Sequence, residues 1–189
     1  MPFAYYRRLS RRARAIYRRS DAYGAVELED PAALRPLATG LGQALRADDR
    51  VAVEKGAARL VRRLCRQLGV PVAAAGGLAE RPRAAAAELH GLYVREPGER
   101  PLVLVWMRTA ARERPVAHRT FLRTLMHEVC HHLDYELLDL EESFHTHGFF
   151  QRESSLVRQL LPPRRARSSG ASRAAGQLEL PLGGAPRRS

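Results

Sequence analysis

Five consecutive residues carry the clearest chemistry in this chain: His127, Glu128, Val129, Cys130 and His131. On an α-helix, positions four apart project from one face a turn apart, so both imidazoles can reach one ion at the roughly 2.0–2.1 Å of a zinc–nitrogen bond. Glu128 lies about 100° round the helix from His127, beside the ligands and not among them. From there a carboxylate can take a proton from a zinc-activated water and return it to a leaving amine. A catalytic zinc keeps one position open and has three protein ligands, so a third must follow. Five of the seven histidines fall between 127 and 147, which makes His145 and His147 the candidates. At the start of a helix His145 shares a face with Phe149 and His147 with Phe150, and either phenylalanine can be the buried anchor.

The neighbours of these residues sort by chemistry. Cys130 occupies a variable position of the motif and reads as a small packing residue, not as a thiolate ligand. His132 faces elsewhere on the helix and is expected at the surface or behind a ligand. Asp134 and Glu153 either orient a ligand's second nitrogen or stand as plain solvated charges.

Elements must hold these groups in place. From Arg119 to Leu138 apolar residues recur at three and four, from Phe121 and Leu122 to Leu133 and Leu137, which predicts a long amphipathic helix under the motif. A last helix runs from about Thr146 to Leu161 and stops at Pro162-Pro163. Before the metal helix, residues Leu89 to Val94, a turn at Glu96-Pro97-Gly98-Glu99, and Leu102 to Met107 read as a β-hairpin. The second strand is almost wholly apolar and should be covered on both faces. Further upstream, residues 3–19 predict a basic amphipathic helix, Asp30-Pro31 opens a helix through about Leu45, and another runs from about Asp48 to Leu68. Residues 71–88 show no clear period, and Ala73 to Gly77 look like a connection. The expected fold is α+β: a helical N-terminal region over 1–88, a metal-binding core over 89–161 with a small sheet packed on the metal helix, and a disordered basic tail over 162–189.

Charge is uneven along the chain. The formal net charge is +12, yet residues 1–19 carry seven Arg and no acid and residues 162–189 carry six Arg and one Glu, while the intervening 142 residues carry nineteen charges of each sign. Basic ends of this kind can bind nucleic-acid phosphates or an anionic membrane, so DNA is a candidate partner for the N-terminus and the tail. Arg supplies 31 of the 32 basic residues, so coding bias accounts for part of the excess. Two cysteines, Cys65 and Cys130, exclude a disulfide framework or a four-cysteine zinc ribbon. No apolar run approaches the eighteen or so residues that span a bilayer, and no apolar stretch follows the first arginines as in a secretory signal. A cytoplasmic location with no membrane partner is the expectation.

The run Thr124 to His131, the strand before it, and His145-Thr146-His147-Gly148-Phe149 after it resemble the SprT-like and related minimal zincin metallopeptidases. Their pattern is a hairpin, an HExxH helix, then a His followed four residues later by an aromatic on the next helix. The resemblance covers about residues 89–160. It implies a zincin-like fold with zinc on His127, His131 and His145, Glu128 as general base and acid, Phe149 as the aromatic, and hydrolysis of protein or peptide substrates, including DNA-associated proteins. It also implies that Leu102 to Met107 offers its edge to an extended substrate by β-augmentation. The chain departs from the family in lacking its frequent C-terminal zinc ribbon, and in placing Thr146 where some members have Gly directly after the third His. In the tail, Gln177-Leu178-Glu179-Leu180-Pro181-Leu182 resembles the peptide with which bacterial replication and repair proteins dock into the sliding clamp. The alternative reading is a clamp- or nucleic-acid-tethered binding module whose zinc is structural.

Overall fold

The structure, a computed structural model, describes residues 3–78, 90–108 and 114–161. The expected tail, with its Gln177 to Leu182 segment, lies outside the described residues. The described part is α+β and mostly helical. A 3-10 turn over Ala4–Arg8 leads into α1 (Arg11–Ala22), α2 (Pro31–Arg46) and α3 (Arg50–Gln67), then β1 (Ala74–Leu78), β2 (Gly91–Val94) and β3 (Leu102–Trp106), and finally α4 (His118–Glu136) and α5 (His147–Leu160). No helix among the described residues is long and apolar enough to cross a membrane.

Capping residues set most helix starts. Asp30, Asp49 and Thr146 each accept a hydrogen bond from a main-chain N–H three residues on, opening α2, α3 and α5. The same device corrects the expected single helix over residues 3–19. Ser10 Oγ accepts from Ala13 N at 3.1 Å, so α1 begins there and the preceding residues form a separate short turn.

The sheet has the order β1-β3-β2. Residues 73–77, expected to connect elements, instead supply β1, which runs parallel to β3 from Ala74 opposite Leu102 to Leu78 opposite Trp106. Small residues have poor strand propensity, and pairing with β3 overrides it. The Ala-Gly run also leaves room for α3 to lie close against the strand. β3 is therefore the central strand. Its apolar sequence fits that place, with Val103, Val105 and Trp106 buried. This overturns the expectation that Leu102 to Met107 offers a free edge. The edges belong to β1 and to β2, which pairs antiparallel with β3 and with no other described strand. The two are joined by a tight turn in which Pro97 is followed by Gly98 at φ 80°, a conformation that favours glycine.

One hydrophobic core spans α2, α3, the sheet, α4 and α5. It joins Leu34, Leu41, Leu60 and Leu64 of the N-terminal helices to Val103 and Val105 of the sheet and to Phe121, Leu125, Phe149 and Leu156 of the C-terminal helices.

Candidate metal centre

α4 places His127 and His131 a turn apart with ring centroids 5.1 Å from each other. His145 joins them from the segment just before α5, one residue ahead of the Thr146 cap. Its Nε2 lies 3.0 Å from Nε2 of His127 and 3.1 Å from Nε2 of His131. The ligand atoms of the three all lie within 4.8 Å of one another. The competing candidate, His147, is exposed and lines a different cleft with Phe150, Gln151 and Arg158. Phe149 is fully buried, and its ring meets all three imidazoles at centroid distances of 4.9, 4.8 and 5.1 Å. It is the anchor of the cluster, and Phe150 is only partly covered.

The donor set fits a metal ion. Two zinc–nitrogen bonds of about 2.0–2.1 Å at a tetrahedral angle put the nitrogens about 3.3 Å apart, close to the observed spacing. Tautomers follow from what the far nitrogens touch. His127 Nδ1 is 3.0 Å from Glu153 Oε2, a carboxylate, so Nδ1 carries the proton and Nε2 a lone pair. Ser143 Oγ donates to Asp134 Oδ2 at 2.7 Å and accepts from His131 Nδ1 at 2.7 Å, which again leaves Nε2 of His131 with its lone pair. Asp134 is itself fixed by Arg152, whose Nη2 donates to Oδ1 at 2.6 Å, both side chains being fully buried. Tyr5 Oη donates to the main-chain oxygen of His145 at 2.9 Å and so steadies the third imidazole from the N-terminal turn.

Electrostatics favour neutral imidazoles. Burial, then the charges of His127 and His145, lowers the pKa of His131 to about 3. Burial also lowers that of His145, with His127 adding to the effect and Glu153 opposing it. Burial alone would raise Glu153, yet hydrogen bonds from His127 and from Arg123, whose Nε lies 2.5 Å away, hold it below the usual carboxylate range.

Glu128 stands beside the cluster in a cleft of about 320 Å³, lined also by His90, Gly91, Thr124 and His127. Burial lifts its carboxyl to about 7, offset in part by His127 and by a hydrogen bond from the Tyr93 main chain. β2 passes close over it, for a Cβ on Gly91 would lie 2.5 Å from Glu128 Oε1. Any larger residue there would force the Glu128 side chain to move.

Among the remaining expectations, Asp134 and Glu153 are buried and reach the Nδ1 atoms of His131 and His127, the first through Ser143 and the second directly. Of the two places expected for His132, the surface is the one it does not take. It is fully buried, with Nε2 2.8 Å from the Pro71 carbonyl oxygen and Nδ1 3.2 Å from Tyr93 Oη, and so ties α4 to β2 and to the loop after α3. Cys130 is buried away from the cluster, and burial pushes its thiol up. The sequence reading missed Ser143, Arg152, Tyr5 and Gly91. Arg152 alone left a signal, as an arginine on the face of α5 that otherwise buries Phe149, Leu156 and Leu160. Comparison with protein-family models, curated proteins and solved structures gave no match, so the geometry of the site carries the functional assignment.

Proposed function

We propose that this chain is a zinc-dependent peptidase of the minimal zincin type, akin to the SprT-like enzymes, with His127, His131 and His145 as its metal ligands. The observation that carries this reading is the convergence of three imidazole Nε2 atoms beside a buried carboxylate that opens on a cleft. Zinc held by this set supplies a Lewis acid that polarises the scissile carbonyl and makes water acidic enough to ionise near neutral pH. Glu128 then does the proton work. Its carboxylate takes the proton of the attacking water and passes it to the leaving amine nitrogen, and a pKa near 7 suits it to both transfers. Glu153 and the Ser143–Asp134 pair keep the imidazoles turned with their lone pairs inward. The edge of β2, which no other described strand covers, borders the cleft and can pair with the main chain of an extended substrate, in the place expected for β3.

The test compares zinc-loaded wild type with zinc-loaded Glu128→Gln on casein. The wild type cleaves it, and the variant keeps its zinc but loses about 10²- to 10⁴-fold in rate, the usual weight of a general base. Equal rates in the two proteins would overturn the proposal.

A further inference from the structure

The sequence assigned polyanion contact to the chain ends, but in the structure most of the N-terminal arginines already have partners. Arg12 pairs with Glu141, Arg14 donates to the main-chain oxygens of Tyr6 and Arg7, Arg18 donates to Tyr6 Oη, and Arg19 donates to the carbonyls of Leu138 and Asp139. A different element carries basic groups without partners. Lys55, Arg59, Arg62, Arg63 and Arg66 of α3 are all exposed, and none makes a hydrogen bond or ion pair among the described residues.

Their spacing of four, three and four puts Lys55, Arg59, Arg62 and Arg66 within an arc of about 60°, with Arg63 alongside. The ridge is about 16 Å long at the helical rise of about 1.5 Å per residue. The opposite face, with Val53, Ala57, Leu60, Val61 and Leu64, has no exposure at all. Glu54 is the only acid of the helix and projects to one side of the ridge. The balance of charges over the middle of the chain therefore hides a strongly segregated surface.

We propose that this outer face of α3 is a nucleic-acid-binding ridge that grips the phosphate backbone of duplex DNA without reading its sequence. Guanidinium groups match phosphate oxygens in paired hydrogen bonds, and four of the five groups are arginine. A ridge of this length covers about half of the roughly 34 Å turn of a duplex. α3 contains no aromatic residue, so it has no platform on which unpaired bases could stack. An amphipathic helix that lies in a membrane needs an apolar face free to insert, and here that face forms the core, leaving Val51 as the one exposed large apolar side chain. α3 packs on β1 through its buried face, at the edge of the sheet away from β2 and Glu128, so a duplex bound to the outer ridge leaves the metal cleft open. This site is independent of the peptidase reading.

The test measures binding of the full chain to a fluorescently labelled 20-base-pair duplex by anisotropy, between 50 and 200 mM salt. The triple variant Arg59→Gln, Arg62→Gln, Arg66→Gln should bind at least tenfold more weakly. The slope of log K against log salt should fall by about two to three, near 0.9 for each phosphate that the variant no longer neutralises. The triple variant Arg7→Gln, Arg8→Gln, Arg11→Gln should lose less, and thermal melts should show both variants folded. The proposal is overturned if the ridge variant binds with wild-type affinity and slope, if the N-terminal variant takes the larger loss, or if the wild type binds phosphatidylglycerol vesicles but not the duplex.

Discussion

Ser143 makes two hydrogen bonds whose directions are forced. Burial pushes the Asp134 carboxyl up and Arg152, donating to Oδ1, opposes that; Ser143 gives its hydroxyl proton to Oδ2, and its oxygen is left to receive the His131 Nδ1 proton. One small side chain thus fixes a ligand's tautomer. Ser143→Ala should weaken zinc affinity by about 10- to 100-fold with little change in fold, measured by competition with a chromogenic chelator. Glu128 gives a second prediction, in the metal-free protein. Its ordinary pKa is 4.5 and its folded value about 7, so stability is full below about 4.5 and is lost as pH rises through about 7. The complete loss is on the order of 3 kcal/mol. Metal-free Glu128→Gln should therefore melt above metal-free wild type at pH 8, with the gap closing toward pH 4. Equal melting temperatures at pH 8 would show that burial does not act on this carboxyl.

Among the elements, β2 and α4 meet more closely than any side chain but hydrogen allows. A methyl at Gly91 would lie 2.5 Å from Glu128 Oε1 and 2.9 Å from Thr124 Cγ2. Gly91→Ala should push strand and helix apart, lowering peptidase activity at least tenfold while zinc content, read by atomic absorption, stays near wild type. This close approach was not legible in the sequence, since a glycine at a strand start has many uses. What was legible came from periodicity and capping. The apolar stripe of α4 and the cap at Asp30 set where helices lie, and the motif put two imidazoles on one face. β1 was hidden because Ala74 to Gly77 owe their strand form to pairing with β3 and packing under α3. The choice between His145 and His147 was hidden for a related reason. Helical register cannot place a residue that stands before the cap, and His145 precedes Thr146.

At the scale of the whole molecule, Arg152 links the two ends of the fold to the metal cluster. It donates to the Ser20 carbonyl at 2.7 Å, to the Tyr23 carbonyl at 2.5 Å and to Ser20 Oγ at 3.0 Å, while holding Asp134. Replacing it with Met leaves Asp134 buried as an unpaired charge, a change that costs about 3–5 kcal/mol. Because one core spans the N-terminal helices and the metal helix, Arg152→Met should lower a single cooperative transition, seen alike by Trp106 fluorescence and far-ultraviolet circular dichroism. Two separate transitions would mean that the helical region and the metal core fold apart. X-ray absorption at the zinc edge, on the full chain purified without added metal and on its His145→Ala variant, tests the three-histidine zinc site most directly. The wild type should hold one zinc per chain with three imidazole nitrogens around it, and the variant two or fewer. A chain without zinc, or a ligand shell unchanged by the removal of the His145 imidazole, would rule out zinc on His127, His131 and His145.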